Sequence, residues 1–223
     1  MAGGEVASRL ALSKLVDLIV ETSDWTLALQ HEQDVTNVVN RMTERFLQVD
    51  ALLRKEAELD HTLLGMGTTL TVAGAMGNDL IIGHVGDSRA YLLRGKNFDQ
   101  LTTDHTLAQA LIDAGVADRD DPASRSMRHV LTAAVGSLGE QVEPQVQRFK
   151  LLSGDQLMLC TDGLTETVDD ATIAGVLRHA SSAQDACHEL VDLALSGGGT
   201  DNITVVLAHF LPSAGDESAP LNH

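Results

Sequence analysis

The stretch "GTTLTVAGAMGNDLIIGHVGDSRAYLLRG" (residues 67–95) decides the fold class. Short aliphatic runs flank Gly77–Asn78, and a second break follows at Gly95–Lys96. Apolar runs separated by a two-residue turn of this kind predict β-hairpins. "GTTLTVAGAM" (67–76) and "DLIIGHVG" (79–86) are therefore expected to pair, with "RAYLLR" (89–94) and "FDQLT" (98–102) as two further strands.

Outward from this stretch the apolar period changes to that of a helix. Ala7, Leu10, Ala11, Leu15, Leu18 and Ile19 share one face of residues 5–22. Val35, Val38, Val39, Met42, Phe46, Val49, Leu52 and Leu53 form an unbroken stripe through residues 34–57. "TDHTLAQALIDAG" (103–115) predicts a short helix, capped by Asp104 and stopped at Gly115. The polar, aperiodic "VADRDDPASRSMR" (116–128) reads as a mobile flap or surface loop.

Strands are expected near 146–152 and 156–161, joined by a turn at Ser153–Gly154–Asp155. Helices follow within 169–179 and at 183–196, and a last strand at 203–210. The polar tail 212–223 is expected to be disordered. With no repeat and no linker, residues 1–211 read as one layered α+β domain.

Composition narrows the function classes. Aromatic residues make up only 3% of the chain, so its core must be aliphatic. A net charge of −17 argues against nucleic acid and anionic membrane as partners, because both require a basic footprint. An anionic substrate would need bound cations to reverse the local sign. Cys160 and Cys187 lie in apolar settings and read as core thiols. No leader is visible in "MAGGEVASRL", and Lys14 and Asp17 interrupt the most apolar helix, so a cytoplasmic location is expected.

Three aspartates share one context. Asp87 in "HVGDSRAYLL", Asp162 in "LCTDGLTE" and Asp201 in "GGTDNITVV" each stand where an apolar strand meets a glycine. A rigid element thus holds each carboxylate at a reachable edge. One Asp beside Gly is usually just a turn residue. Three in the same setting suit hard divalent cations, which take carboxylate oxygens and need them clustered. Ser88 has no evident partner base, which weakens it as a nucleophile. His84, near a strand end, is read as a packed histidine.

"GMGTTLTVAGAMGNDLIIGHVGDSRAYLLRGKNFDQLTTDHTLAQALIDAG", "LMLCTDGLTETVDD" and "LALSGGGTDNITVVLA" together resemble the metal-dependent (PPM, type 2C) serine/threonine protein phosphatases of the bacterial branch. The resemblance covers residues 3–210 in family order. It implies an α-β-β-α sandwich of two mainly antiparallel sheets, carrying a two-metal Mn²⁺ or Mg²⁺ cluster and a third, accessory ion. Asp162 and Asp201 fall on cluster ligands, and Asp87 on the accessory-metal ligand. Gly86, Ser88, Gly163 and Asn202 support them, and residues 104–128 fall on a flap bordering substrate access. The implied reaction is hydrolysis of phosphoserine and phosphothreonine by a metal-activated water, on proteins phosphorylated by Ser/Thr kinases.

One departure carries its own expectation. The family's Asp-Gly-Met-Gly-Gly motif, whose Asp bridges the two main metals, would lie just ahead of Met1. That predicts an amino-terminally truncated chain with weakened metal binding and sheet edges exposed to self-association. Two other readings stand beside the enzyme. One is a phosphatase-fold binding module with little or no activity; the other is a partner-switching phosphatase acting on an anti-anti-sigma-type phosphoprotein.

Overall fold

The computed structural model describes residues 2–20, 32–118, 121, 124, 126–139 and 141–211. The expected tail 212–223, parts of the segment 104–128, and the side chain of Val35 lie outside these residues. The chain divides into two compact units, one of Met1–Ser88 with Thr102–Phe149 and one of Arg89–Leu101 with Lys150–His223. The backbone passes between them three times, at residues 88–89, 101–102 and 149–150.

In the first unit, α1 (Ala2–Val20) and α2 (Glu32–Leu59) share a core with a sheet ordered β1-β2-β5. The strands are β1 (Leu70–Met76), β2 (Asp79–Val85) and β5 (Gln145–Lys150). The hairpin forms as its turn predicts: Met76 pairs with Asp79, and the register runs on to Leu70 opposite Val85. The helical stripes face the core, with Ala7, Ala11, Leu15, Met42, Phe46, Val49 and Leu53 all buried. One buried carboxylate ties α2 to a distant loop. Asp50 pairs with Arg54 at 2.8 Å and accepts the Gly136 N–H at 2.7 Å.

Between β2 and β5 the short helix α3 (Leu107–Asp113) appears where expected, but its cap differs. Thr106, not Asp104, accepts the Gln109 N–H. Asp104 sits too early because His105 and Thr106 are still extended: His105 bonds to Gly86 and Thr106 bridges to Leu131. Within 116–128, expected as a mobile flap or surface loop, Ser124 is 1% exposed.

The second unit is a four-stranded antiparallel sheet ordered β4-β3-β6-β7. Its strands are β3 (Arg89–Arg94), β4 (Asn97–Gln100), β6 (Gln156–Cys160) and β7 (Val205–His209). The one-turn helix α4 (Asp162–Thr165) follows β6, and α5 (Asp170–His179) and α6 (Ala183–Ser196) lead to β7. Asp169 caps α5 and Ser182 caps α6 through their N-terminal amides. Tyr91, Met158, Leu164, Ile173, Leu177 and Leu190 fill the core, and Tyr91 stacks on Phe98 at 4.7 Å. Strands β4 and β7 are the two edges, and Val206 of β7 is half-exposed.

The turn at 153–155 does not close a hairpin. β5 joins the first unit's sheet and β6 the second's. The reason lies in Asp155, which is buried and accepts Arg94 (2.7 Å) and the Leu152 N–H (2.8 Å). The neighbouring backbone is also taken: Gly154 N–H donates to Phe210 O, and Phe210 N–H donates to Asp155 O. These bonds fold the 152–155 segment against β7's end, not back along β5. Among the described residues no helix is long and apolar enough to cross a membrane. Cys160 and Cys187 are both free thiols.

Candidate metal centre

Antiparallel pairing builds the acidic cluster of the second unit. Cys160, the last residue of β6, faces Val205, the first of β7. The ladder continues one step, with Thr161 N–H donating to Thr204 O at 3.1 Å. The Thr161 hydroxyl then does two jobs: it donates to Asn202 O (2.9 Å) and accepts the Thr204 N–H (3.0 Å). Asn202 thereby contributes its carbonyl to the loop, and its N–H donates to Asp201 Oδ1 at 2.7 Å. Gly163 allows the approach, because a Cβ there would lie 2.7 Å from the Asn202 carbonyl oxygen.

The carboxylates feel one another across this junction. Burial pushes the Asp162 carboxyl above its ordinary range, and the charges of Glu166 and Asp201 push it further. Glu166 stands one helical turn beyond Asp162 and accepts a long hydrogen bond from Thr200 Oγ1 at 3.4 Å. The sequence reading missed Glu166. The signal was available in "DGLTE", where the i, i+4 spacing puts both acids on one helix face. Asp162 and Glu166 bring carboxylate oxygens within 4.8 Å of one another, and Asp201 acts on Asp162 by its charge; hard oxygen donors of this kind suit Mn²⁺ or Mg²⁺.

Asp87 belongs to the first unit, in the loop after β2, and is 9% exposed. Its neighbours are fastened from β1. Ser88 Oγ lies 2.9 Å from Thr69 Oγ1, and the Thr71 hydroxyl donates to Ser88 O at 3.4 Å. Gly86 adopts φ +114°, and a Cβ there would meet Thr69 Cγ2 at 2.4 Å, so only glycine serves. His84 is fully buried with Nδ1 2.9 Å from Thr71 Oγ1. Burial, followed by the nearby His105, lowers its pKa from 6.5 to about 4. It is the packed, neutral histidine expected.

The structure thus brings Asp162, Asp201 and the unforeseen Glu166 together in one unit, with Asp87 in the other. His105, read earlier as part of a helix start, instead bonds to Gly86 beside Asp87. No sequence spacing could have indicated that contact.

Comparison with known proteins gives a consistent picture. The family model "Protein phosphatase 2C" matches residues 5–111, and "Stage II sporulation protein E (SpoIIE)" matches residues 104–211. Serine/threonine protein phosphatase PstP of Mycobacterium tuberculosis is 35% identical over 207 residues, which is 93% of this chain but 38% of that protein. Protein phosphatase PhpP of Streptococcus pneumoniae is 32% identical over 204 residues, 92% of this chain and 79% of that protein. The crystal structure of PstP superposes with a TM-score of 0.82 at 34% identity, covering 95% of this chain and 84% of that one. The PstP catalytic domain has also been solved in complex with two manganese ions; it matches at 34% identity with a TM-score of 0.76, covering 95% of this chain and 83% of that one.

Proposed function

The chain belongs to the protein phosphatase 2C family, and on that premise we propose that it hydrolyses phosphoserine and phosphothreonine on proteins, using Mn²⁺ or Mg²⁺. The observation that carries the reading is the junction of β6 and β7. It sets the loops of Asp162 and Asp201 side by side, so that the charges of Asp201 and Glu166 are felt at Asp162, which supports the reading. Folding would not hold such a cluster together for structural gain, whereas a divalent cation turns the repulsion into coordination.

In this reading Asp162 and Asp201 hold catalytic metal, Glu166 adds a carboxylate to the same edge, and Asp87 holds the accessory ion. Bound divalent cations supply Lewis acidity for a phosphoryl oxygen and a water of lowered pKa. The chain's own residues do the positioning. Thr161 and Gly163 fix the distance between the two aspartate loops, and Thr69 and Thr71 fix the loop of Asp87. Cation charge at this edge also reconciles a chain of net charge −17 with a phosphate dianion.

Residues 1–211 would act as one cytoplasmic catalytic domain, since three chain crossings leave neither unit as a contiguous segment. The 104–128 segment would border substrate access. The test is Mn²⁺-dependent release of phosphate from phosphoserine and phosphothreonine peptides and from p-nitrophenyl phosphate. Turnover that chelator abolishes and Mn²⁺ restores supports the reading. A folded chain without turnover at millimolar Mn²⁺ would instead be a binding module. A panel of phosphoproteins distinguishes broad substrate use from a single anti-anti-sigma-type substrate.

A further inference from the structure

We propose that His105 is a positioning residue for Asp87, holding the Gly86–Asp87 peptide from the loop that leads into α3. The inference rests on the reading of Asp87 as a metal ligand. Gly86 spends both of its backbone polar groups on this one residue. His105 N–H donates to Gly86 O at 2.7 Å, and Gly86 N–H donates to His105 Nδ1 at 3.2 Å. The second bond fixes the tautomer: Nδ1 accepts, so the ring proton resides on Nε2.

Gly86 is the place where such a clamp is needed. At φ +114° it carries no side chain to limit its own rotation, and its peptide sets the direction in which Asp87 leaves the strand. The clamp is itself held. The His105 carbonyl accepts the Thr132 N–H at 2.9 Å, and its ring lies 5.0 Å from the buried His84 ring. On the other side of Asp87, Ser88 is fastened to Thr69. Asp87 therefore sits between two restrained residues, one restrained from β1 and one from the start of the 104–128 segment. A metal ligand oriented by outer partners in this way binds more tightly than a free one.

The arrangement links that segment to the accessory ion. His105 immediately precedes Thr106, the cap of α3, so a shift of α3 pulls directly on the peptide that aims Asp87. Movement in the segment would then change metal occupancy at Asp87 without touching the ion.

Two measurements on the full chain decide the matter. In ¹⁵N-labelled protein, a coupling between the Gly86 amide nitrogen and His105 Nδ1 across the N–H···N bond is expected, and its absence overturns the clamp. By calorimetric Mn²⁺ titration, His105→Ala should weaken the Asp87-dependent ion about tenfold. His105→Asn, whose Oδ1 falls near the place of Nδ1, should recover most of that loss, whereas His105→Gln should not. Wild-type affinity in His105→Ala overturns the proposal. If that variant does not fold, equal affinity in the Asn and Gln variants overturns it instead. Asp87→Asn separates the two layers of the inference. If Asp87→Asn keeps every ion, the ligand assignment fails; if it loses one that His105→Ala keeps, the clamp alone fails.

Discussion

The two units solve the same problem, fixing an aspartate at the end of an apolar strand, by opposite means. In the first, the loop around Asp87 is fastened by hydrogen bonds from β1 and from His105, and the aspartate stands among polar neighbours that are already paired. In the second, the two loops are locked by Thr161 and the bare Gly163, yet the carboxylates they carry repel one another. Among the described residues each unit also holds a carboxylate that is 1% exposed, Asp50 or Asp155, paired with an arginine and a backbone amide. Those acids are satisfied and structural. Asp162 is instead half-buried beside the charges of Glu166 and Asp201, and burial and those charges push its carboxyl above the ordinary range.

The sharpest way to break this contrast is Asp162→Asn. It should lower Mn²⁺-dependent phosphate release more than about a hundredfold, since it removes a ligand and not an outer partner. Retention of turnover would return Asp162 to the class of turn residues.

A second test addresses the first unit's buried histidine. His84 titrates at about 4 when folded and near 6.5 when unfolded, so the unfolded chain binds the extra proton between those values. Stability from this source is complete above 6.5 and is lost as pH falls toward 4, by about 3 kcal/mol at the end of that window. Urea unfolding across this range should show the loss, and His84→Gln should flatten it. An unchanged slope in the variant would place the proton elsewhere.

Paired threonine substitutions compare the two lock mechanisms directly. Thr161→Val removes a hydroxyl that serves two backbone groups and should cost about 2 kcal/mol in urea unfolding, against about 1 kcal/mol for Thr69→Val. Equal costs would mean that the two loops are held alike. The smallest effect isolates the repulsion itself. With chelator present, Asp162→Asn should raise the melting temperature by about 1–2 °C, because one of the clustered charges is gone. A fall would show that Asp162 stabilises the metal-free fold.

Much of this molecule is legible residue by residue. The stripe from Val38 to Leu53 could only be a core-facing helix, and Gly77–Asn78 between two aliphatic runs could only be a hairpin. The end of α3 at Gly115 and the span of α6 follow from the same local rules. The contexts of Asp87, Asp162 and Asp201 were equally plain, because a strand ending in Asp beside Gly is a local pattern.

Tertiary structure decided what local pattern cannot encode. Residues 146–161 read as a hairpin in sequence, yet Asp155 is claimed by Arg94 and the strands on either side enter different sheets. The capping role passed from Asp104 to Thr106 because Gly86 holds His105 extended. Asp201 came to act on Asp162 only once β6 and β7 were paired in register. The physical reason is the same in each case. Periodicity, turns and charge are set by neighbours in the chain, whereas hydrogen-bond partners are chosen among residues brought close by folding. The three aspartates belong to the sequence; the company each keeps belongs to the fold.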